Sequence, residues 1–348
     1  MKIVIDAMGG DNAPLEIVKG ALDGHRDFGV DIVLTGREEE ILAAVKACGE
    51  TLPTGVTIRN CTEVVDMHDD PAFACRRKKD SSMAVGLKMV RDGEGDAFIS
   101  AGSTGALLAG ATLLVKRIRG IRRAAMSPLI PTATGDAVLV DCGANIDCTP
   151  EYLLQFAYIG NFYAKSALKL EHPRVGLLNI GTEDTKGTPL HRDAYVLLKE
   201  AGDAGHINFI GNVEAKDALK GGVDVIVADG FSGNIVLKTI EGTASIVKAG
   251  MKKIFFRNFG TKLAALLVKK GVMEFKDSMD PNERGATPFL GISKPVLKAH
   301  GSSNARAIRN AVKAAIETVD SHLEDQIREN IDLMKIKTPE KEKDAEET

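Results

Sequence analysis

No apolar run in this 348-residue chain approaches the roughly 18 residues that a membrane-spanning helix needs, and mean hydropathy is −0.04. The longest apolar stretch, Gly105 to Val115, is short and opens in a Gly/Ser/Thr cluster. A secretory signal is not expected either, because Lys2-Ile3-Val4-Ile5 is cut off at Asp6 before an apolar region forms. The five cysteines (Cys48, Cys61, Cys75, Cys142, Cys148) are odd in number and show neither C-x-x-C nor zinc spacing, which suits a reducing cytoplasm. Charge of one sign is lacking too: 45 Lys+Arg against 48 Asp+Glu leave a net −3, so wholesale nucleic-acid binding is not the default. Secreted, membrane-spanning, disulfide-stapled and zinc-ribbon readings are set aside.

Nucleotide machinery is missing as well. Only Gly93 and Gly95 have G-x-G spacing, and Phe98 stands where a third glycine belongs. No glycine pair five apart is followed by Lys, no G-x-S-x-G elbow exists, and no H-E-x-x-H or other metal spacing occurs.

What the chain does have is alternation. Apolar, β-branched runs at 2–6, 31–35, 56–60, 96–100, 137–141, 174–179, 207–210 and 224–228 are spaced by helix-period segments at 14–28, 38–48, 81–92, 104–117, 150–167, 189–201, 233–256 and 303–329. That order predicts an α/β fold with a mostly parallel sheet covered on both faces. The segment 124–135 breaks the rhythm, and its two prolines predict an edge strand or hairpin. Residues 1–334 are expected to form one α/β domain, and the charged tail 335–348 to be disordered.

Five strands end in a small polar residue with Gly close behind: Asp6 before Gly9-Gly10, Ser100 before Gly102-Ser103-Thr104-Gly105, Asp141 before Gly143-Ala144-Asn145, Asn179 before Gly181-Thr182, and Asp229 before Gly230 and Gly233-Asn234. In an open parallel sheet such ends share one edge, where ligands bind. Glycines there let backbone N–H groups approach an anion, and the next helix offers its positive end. The expectation is a phosphate-sized cradle. Nearby, Lys186 closes the Asn179 loop, and His300 with Ser302 precedes the last long helix as an anion ligand, proton carrier or plain structural residue. The run Arg76-Arg77-Lys78-Lys79 opposes the dipole of the helix starting near Ser81. It is either a solvated basic turn or a site that holds a polyanionic ligand or an acidic partner protein. From Met251 to Phe275, Phe255, Phe256, Phe259, Leu263, Leu266 and Leu267 alternate with lysines. This predicts a helix–Gly–helix excursion that contacts an anionic membrane surface or packs as a dimer-forming hairpin.

The opening Lys2-Ile3-Val4-Ile5-Asp6-Ala7-Met8-Gly9-Gly10-Asp11-Asn12-Ala13-Pro14 resembles the signature of bacterial phosphate acyltransferases. Seven further segments resemble that family in the same order: Arg76–Met83, Ser100–Gly105, Gly143–Asn145, Asn179–Asp184, Gly211–Glu214, Asp229–Asn234 and Ala299–Ser303. Ser103 stands where some relatives carry Asn. The resemblance implies a three-layer α/β/α sandwich similar to the isocitrate/isopropylmalate dehydrogenase and phosphotransacetylase group. It implies a cytoplasmic homodimer held peripherally at the membrane by protruding helices, with no metal or other cofactor. The implied reaction is acyl-ACP plus inorganic phosphate giving acyl phosphate and ACP, and a membrane acyltransferase would consume the product. On this reading Lys186, His300 and Asn234 are the candidate catalytic residues. Asp6, Gly9, Gly10, Gly102, Ser103, Thr104, Gly105, Gly143, Asn145, Gly181, Thr182, Asp229, Gly233 and Ser302 are candidates for binding substrate, and Arg76, Arg77, Lys78 and Lys79 for docking ACP. A phosphotransacetylase acting on short acyl-CoA and a non-catalytic membrane scaffold are the rival readings.

Overall fold

Runs of Val, Ile and Leu carry apolar side chains on both faces of a strand and need cover on both. The computed structural model describes residues 1–336, so all but the first two residues of the expected charged tail lie outside the described residues. Its strands are β1 (Lys2–Asp6), β2 (Asp31–Gly36), β3 (Val56–Asn60), β4 (Ala97–Ser100), β5 (Ala125–Met126), β6 (Leu129–Thr132), β7 (Gly135–Val140), β8 (Arg174–Asn179), β9 (Asn208–Glu214), β10 (Val225–Val227), β11 (Ala286–Leu290) and β12 (Val296–Ala299). They form two sheets, ordered β3-β2-β1-β4-β12-β11-β5 and β6-β7-β10-β8-β9. The strands β1, β2, β3, β4 and β12 run parallel, as do β7, β8, β9 and β10. Antiparallel pairing is confined to β5, β6 and β11 at or near the sheet edges.

The parallel α/β architecture is thus as expected, and 124–135 supplies the hairpin strand β6. The single shared edge is not. Asp6 and Ser100 end strands of the first sheet, whereas Asn179 ends, and Asp141 and Asp229 follow, strands of the second. The reason lies at Ser127-Pro128, between β5 and β6. Pro128 has no N–H to extend a ladder, and there the chain leaves one sheet for the other. It returns only for β11 and β12, which the sequence pattern misses because Pro288 and Lys298 interrupt their short apolar runs.

Each sheet has its own apolar filling. Ile3, Ile5, Ile32, Leu34 and Ile99 are fully buried in the first, and Phe156, Tyr158, Val225 and Val227 in the second. The helix Leu15–Phe28 lies so close to Ala305–Asp320 that a Cβ at Gly20 would stand 2.4 Å from the Ala305 carbonyl oxygen. Ser81 caps the helix Ser82–Arg91 by accepting the Ala84 N–H, and Pro150 opens Pro150–Ala167. The expected last helix is broken in two, Ala305–Asp320 and Leu323–Glu329, by His322 at φ 50°.

The helix Gly230–Phe255 buries only Gly230 and Gly233 among its 26 residues; Val236, Leu237 and Ile240 rest its first turns on the second sheet's filling, and the remainder of its roughly 39 Å length projects with little cover. It is followed by Phe259–Leu267 and Lys269–Ser278. The excursion therefore does not turn at a glycine. It breaks at 256–258, where Asn258 and Thr261 cap each other reciprocally, and again at Val268, while Gly260 lies inside a helix.

Candidate functional site

The strands β1, β4 and β12 are neighbours, so their ends present Asp6, Ser100 and Lys298 side by side. Asp6 is buried and accepts the Ser100 hydroxyl at 2.7 Å and the Met8 N–H at 3.2 Å. Burial pushes its carboxyl up, opposed by the Ser82 and Ser100 hydroxyls and the Met8 and Gly9 N–H groups. Ser100 Oγ in turn accepts the Gly102 N–H at 3.1 Å. A Cβ at Gly9 would stand 2.7 Å from both the Gly102 nitrogen and Asp6 Oδ2, so glycine is what lets these two loops touch.

The third loop joins them from the far end of the chain. Asp11 N–H donates to the Gly301 carbonyl at 2.8 Å, and the Asn12 amide donates to the Ser302 and Ser303 carbonyls. His300 Nδ1 accepts the Ser302 N–H at 3.2 Å and lies 2.9 Å from Ser302 Oγ. That leaves the proton of a neutral ring on Nε2, ready to donate. Lys298, which the strand pattern does not single out, is buried, and its Nζ donates to the Ala101 and Ala299 carbonyls.

The second sheet edge is built around Asp141. Its Oδ1 accepts the N–H groups of Met126, Cys142 and Ala144, and its Oδ2 accepts the N–H and side-chain amide of Asn145. Burial pushes this carboxyl up, and those donors pull the other way. Asn145 also donates to the Ala124 carbonyl at 2.8 Å, so its side-chain N–H groups already serve the fold. Gly143, at φ 97°, lies against exposed Asn234. Asp229 caps the long helix through the Ser232 N–H, and its other oxygen lies 3.9 Å from His191 Nε2. Burial lowers the pKa of His191, opposed by Asp229. His191 carries no sequence signal beyond its residue type, because only the fold brings it to Asp229. On the neighbouring loop the Asn179 side chain accepts the Ile180 N–H and donates to the Lys186 carbonyl. Lys186 Nζ is exposed, 3.9 Å from Glu183 Oε1.

A cavity of about 860 Å³ begins at the first edge, with Thr104, Lys298, His300 and Ser302. Leu237, Lys238 and Glu241 of the long helix form its opposite wall, and it runs on past Leu129, Ile130 and Met251 to Phe255 and Phe256. Asn234 precedes Lys238 by one turn on the same helix face. Of the candidate binding residues, Thr104 and Ser302 line this space. Asp6, Gly9, Gly10 and Gly102 hold the loops behind it, and Ser103 caps the helix starting at Thr104. Gly105 instead meets Pro71. Gly143, Asn145, Asp229 and Gly233 gather on the second edge, with Gly181, Thr182 and Lys186 on the loop beside it, and none of these seven lines the cavity.

The basic run is divided. Lys78 pairs with Asp69 at 2.6 Å and donates to the Val64 carbonyl, while Arg76, Arg77 and Lys79 are exposed. Arg76 and Arg77 end the short helix Ala74–Arg77, so they do not oppose the dipole of the helix after Ser81. Pro71 and Cys75 of this segment pack against Gly105 and Gly110, in the helix that opens with Thr104. Buried Cys142 donates to the Gly233 carbonyl, and burial pushes its thiol up to about 12.

Comparison with known proteins accords with this geometry. A family model described as fatty acid synthesis protein matches residues 1–326. The chain is 46% identical over 334 residues to a phosphate acyltransferase of Thermoanaerobacterium thermosaccharolyticum, covering 96% of this chain and 98% of that one. It is 47% identical over 321 residues to a phosphate acyltransferase of Oceanobacillus iheyensis, covering 92% and 94%. Among solved structures, a phosphotransacetylase from Streptococcus pyogenes superposes with TM-score 0.62 at 20% identity, covering 92% of this chain and 94% of that one. A 4-hydroxythreonine-4-phosphate dehydrogenase from Klebsiella pneumoniae superposes with TM-score 0.53 at 12% identity, covering 92% and 99%. These two share the fold. Sequence, motif order and fold agree that the chain belongs to the phosphate acyltransferase family of fatty acid synthesis proteins.

Proposed function

We propose that this enzyme moves a long fatty acyl group from acyl carrier protein to inorganic phosphate, releasing acyl phosphate and free carrier for phospholipid synthesis. The observation that carries this reading is one cavity with two characters. Its head bears Thr104, Lys238, His300 and Ser302, and its length is walled by Leu129, Ile130, Met251 and Phe255. An acetyl group would leave that apolar wall unfilled, whereas a long chain covers it and gains the burial.

In the reaction a phosphate oxygen attacks the thioester carbonyl carbon. The new C–O bond forms as the C–S bond breaks, and the thiolate leaves and takes up a proton. Phosphate is itself the nucleophile, so no acyl-enzyme is needed, in keeping with the buried, protonated Cys142. Catalysis then rests on positioning and on donors aimed at the oxyanion. We assign His300 Nε2 to donate to phosphate or the departing sulfur, Asn234 to the oxyanion and Lys186 to neutralising charge on the second edge. Arg76 and Arg77, exposed at the end of the helix packed on Gly105 and Gly110, are the proposed docking point for the acidic carrier.

The deciding assay mixes palmitoyl-ACP, phosphate and protein and measures acyl phosphate, with acetyl-CoA plus phosphate in parallel. Product from palmitoyl-ACP is expected. Turnover of acetyl-CoA alone would favour the short-chain alternative, and no product from either would leave a scaffold. In the same assay, reversing Arg76 and Arg77 to Glu is expected to raise KM for acyl-ACP and flatten its salt dependence. An unchanged KM would remove these two from the docking surface.

The projecting helices suit an anionic bilayer. Phe256, Phe259, Leu266 and Leu267 are 63%, 84%, 67% and 85% exposed, with Lys252, Lys253, Lys262, Lys269 and Lys270 among them. Among the described residues no helix is long and apolar enough to cross a membrane. Changing Phe256, Phe259 and Leu266 to Ser is expected to end co-flotation with phosphatidylglycerol vesicles while leaving a dimeric mass by light scattering. Retained flotation would give the tip to dimer packing instead, and a monomeric wild type would refute the homodimer.

A further inference from the structure

A lysine inside a central strand needs an account. Lys298 lies in β12, between β4 and β11, opposite Ser100 on one side and Thr287 on the other. It is 9% exposed. Its Nζ donates to the main-chain carbonyls of Ala101 and Ala299, neither of which carries a charge. An ammonium has three N–H donors, and the side chain lines the cavity head together with Thr104, His300 and Ser302. A solvated lysine would not be placed there, and a purely structural tie between two loops would not need a charge buried without a counter-ion beside it.

We propose that the Lys298 ammonium is the buried counter-charge that holds the phosphate acceptor at the head of the cavity. The inference rests on the acyl-transfer reading above and names the residue that would give that reading its anion site. Lys298 is a binding residue in this scheme: it fixes the dianion while the thioester carbonyl approaches from the apolar side.

Burial lowers the pKa of Lys298 to about 8. Asp11 and Asp6 partly restore the charge from a distance, and Lys238 on the facing helix opposes it. The charged form binds the anion, so affinity is full below this pKa and is lost as pH rises through it. His300, on the adjoining loop, and Glu241, which pairs with Lys238 at 2.8 Å, also face this region. Both remain in a variant at position 298 and serve as the internal control.

The test is calorimetric titration of inorganic phosphate into the full-length wild type, K298R and K298M between pH 7 and pH 9, with folding checked by near-ultraviolet circular dichroism. Wild-type affinity is expected to fall about tenfold across this range. K298R, whose guanidinium stays charged, should show no such fall. K298M should bind about tenfold more weakly at pH 7, and its KM for phosphate should rise while KM for acyl-ACP stays unchanged. If the wild type makes acyl phosphate but K298M or a folded K298R binds phosphate with an unaltered affinity and pH profile, Lys298 loses this role and the acyl-transfer reading stands. If the wild type binds no phosphate and makes no acyl phosphate, both readings fall together.

Discussion

Alanine at Asp141 is expected to remove about 4 kcal/mol of stability, lowering the melting temperature by roughly 6 °C, and to abolish turnover. This carboxylate is fully buried and is the common acceptor for the Met126, Cys142, Ala144 and Asn145 N–H groups and the Asn145 amide. Truncation leaves buried donors facing a void, and an unpaired buried N–H costs far more than a made bond contributes. Through Met126 the same carboxylate ties the first sheet's last strand to the second sheet's edge. The loop carrying Gly143 and the Gly230 turn therefore loses its anchor as well. Asp141→Asn keeps the shape but sets an NH₂ group against N–H donors, so an intermediate loss is expected. Thermal unfolding and the acyl phosphate assay read the two effects separately. A melting temperature unchanged in Asp141→Ala would show that water replaces the carboxylate and that the anchor is dispensable.

Gly233→Ala is expected to be the second most damaging change, costing about 3 kcal/mol or more, whereas Gly242→Ala in the same helix should stabilise by about 1 kcal/mol. A Cβ at Gly233 would stand 2.0 Å from the Asp141 carbonyl oxygen, and that atom belongs to a buried backbone turn with no freedom to retreat. At Gly242 nothing lies within 4 Å of the added Cβ, so only helix propensity changes. The helix must move outward to accept a methyl group at position 233, and Asn234 and Lys238 move with it. Activity should therefore fall in Gly233→Ala by more than its lost stability explains. Denaturant unfolding compared with turnover at a temperature where both variants are folded checks this. Equal stability of the two variants would mean the helix start is not pressed against Asp141.

Much of this was legible in the chain. The strand runs are so evenly β-branched that all eight expected strands exist, and the Gly9 and Gly102 loops do meet at Asp6 because their glycines leave room. Ser81 and Pro150 carry helix-start chemistry that needs no tertiary context, whereas the helix expected from 233 begins at Gly230 under an Asp229 cap. What escaped was whatever depends on contacts distant in sequence. Pro128 hides a change of sheet, because a proline between two strands reads equally as a hairpin. Lys298 reads as a surface residue until β12 is seen wedged between β4 and β11. Asn145 offered itself as a ligand donor, and only the positions of Asp141 and Ala124 show where its amide hydrogens go. His191 meets Asp229 from a different helix, a proximity no local pattern announces.

The insertion of β12 between β4 and β11 also sets an order of assembly during synthesis. The second sheet is drawn from one continuous stretch, from Leu129 to Val227, and all its strands are synthesised before the projecting helices. The first sheet holds β4 with an open hydrogen-bonding edge until Val296–Ala299 emerges, nearly a chain length after β1. The half that is translated first is thus the last to be sealed, and nascent β4 is the edge that a chaperone or a neighbouring nascent chain would find unpaired.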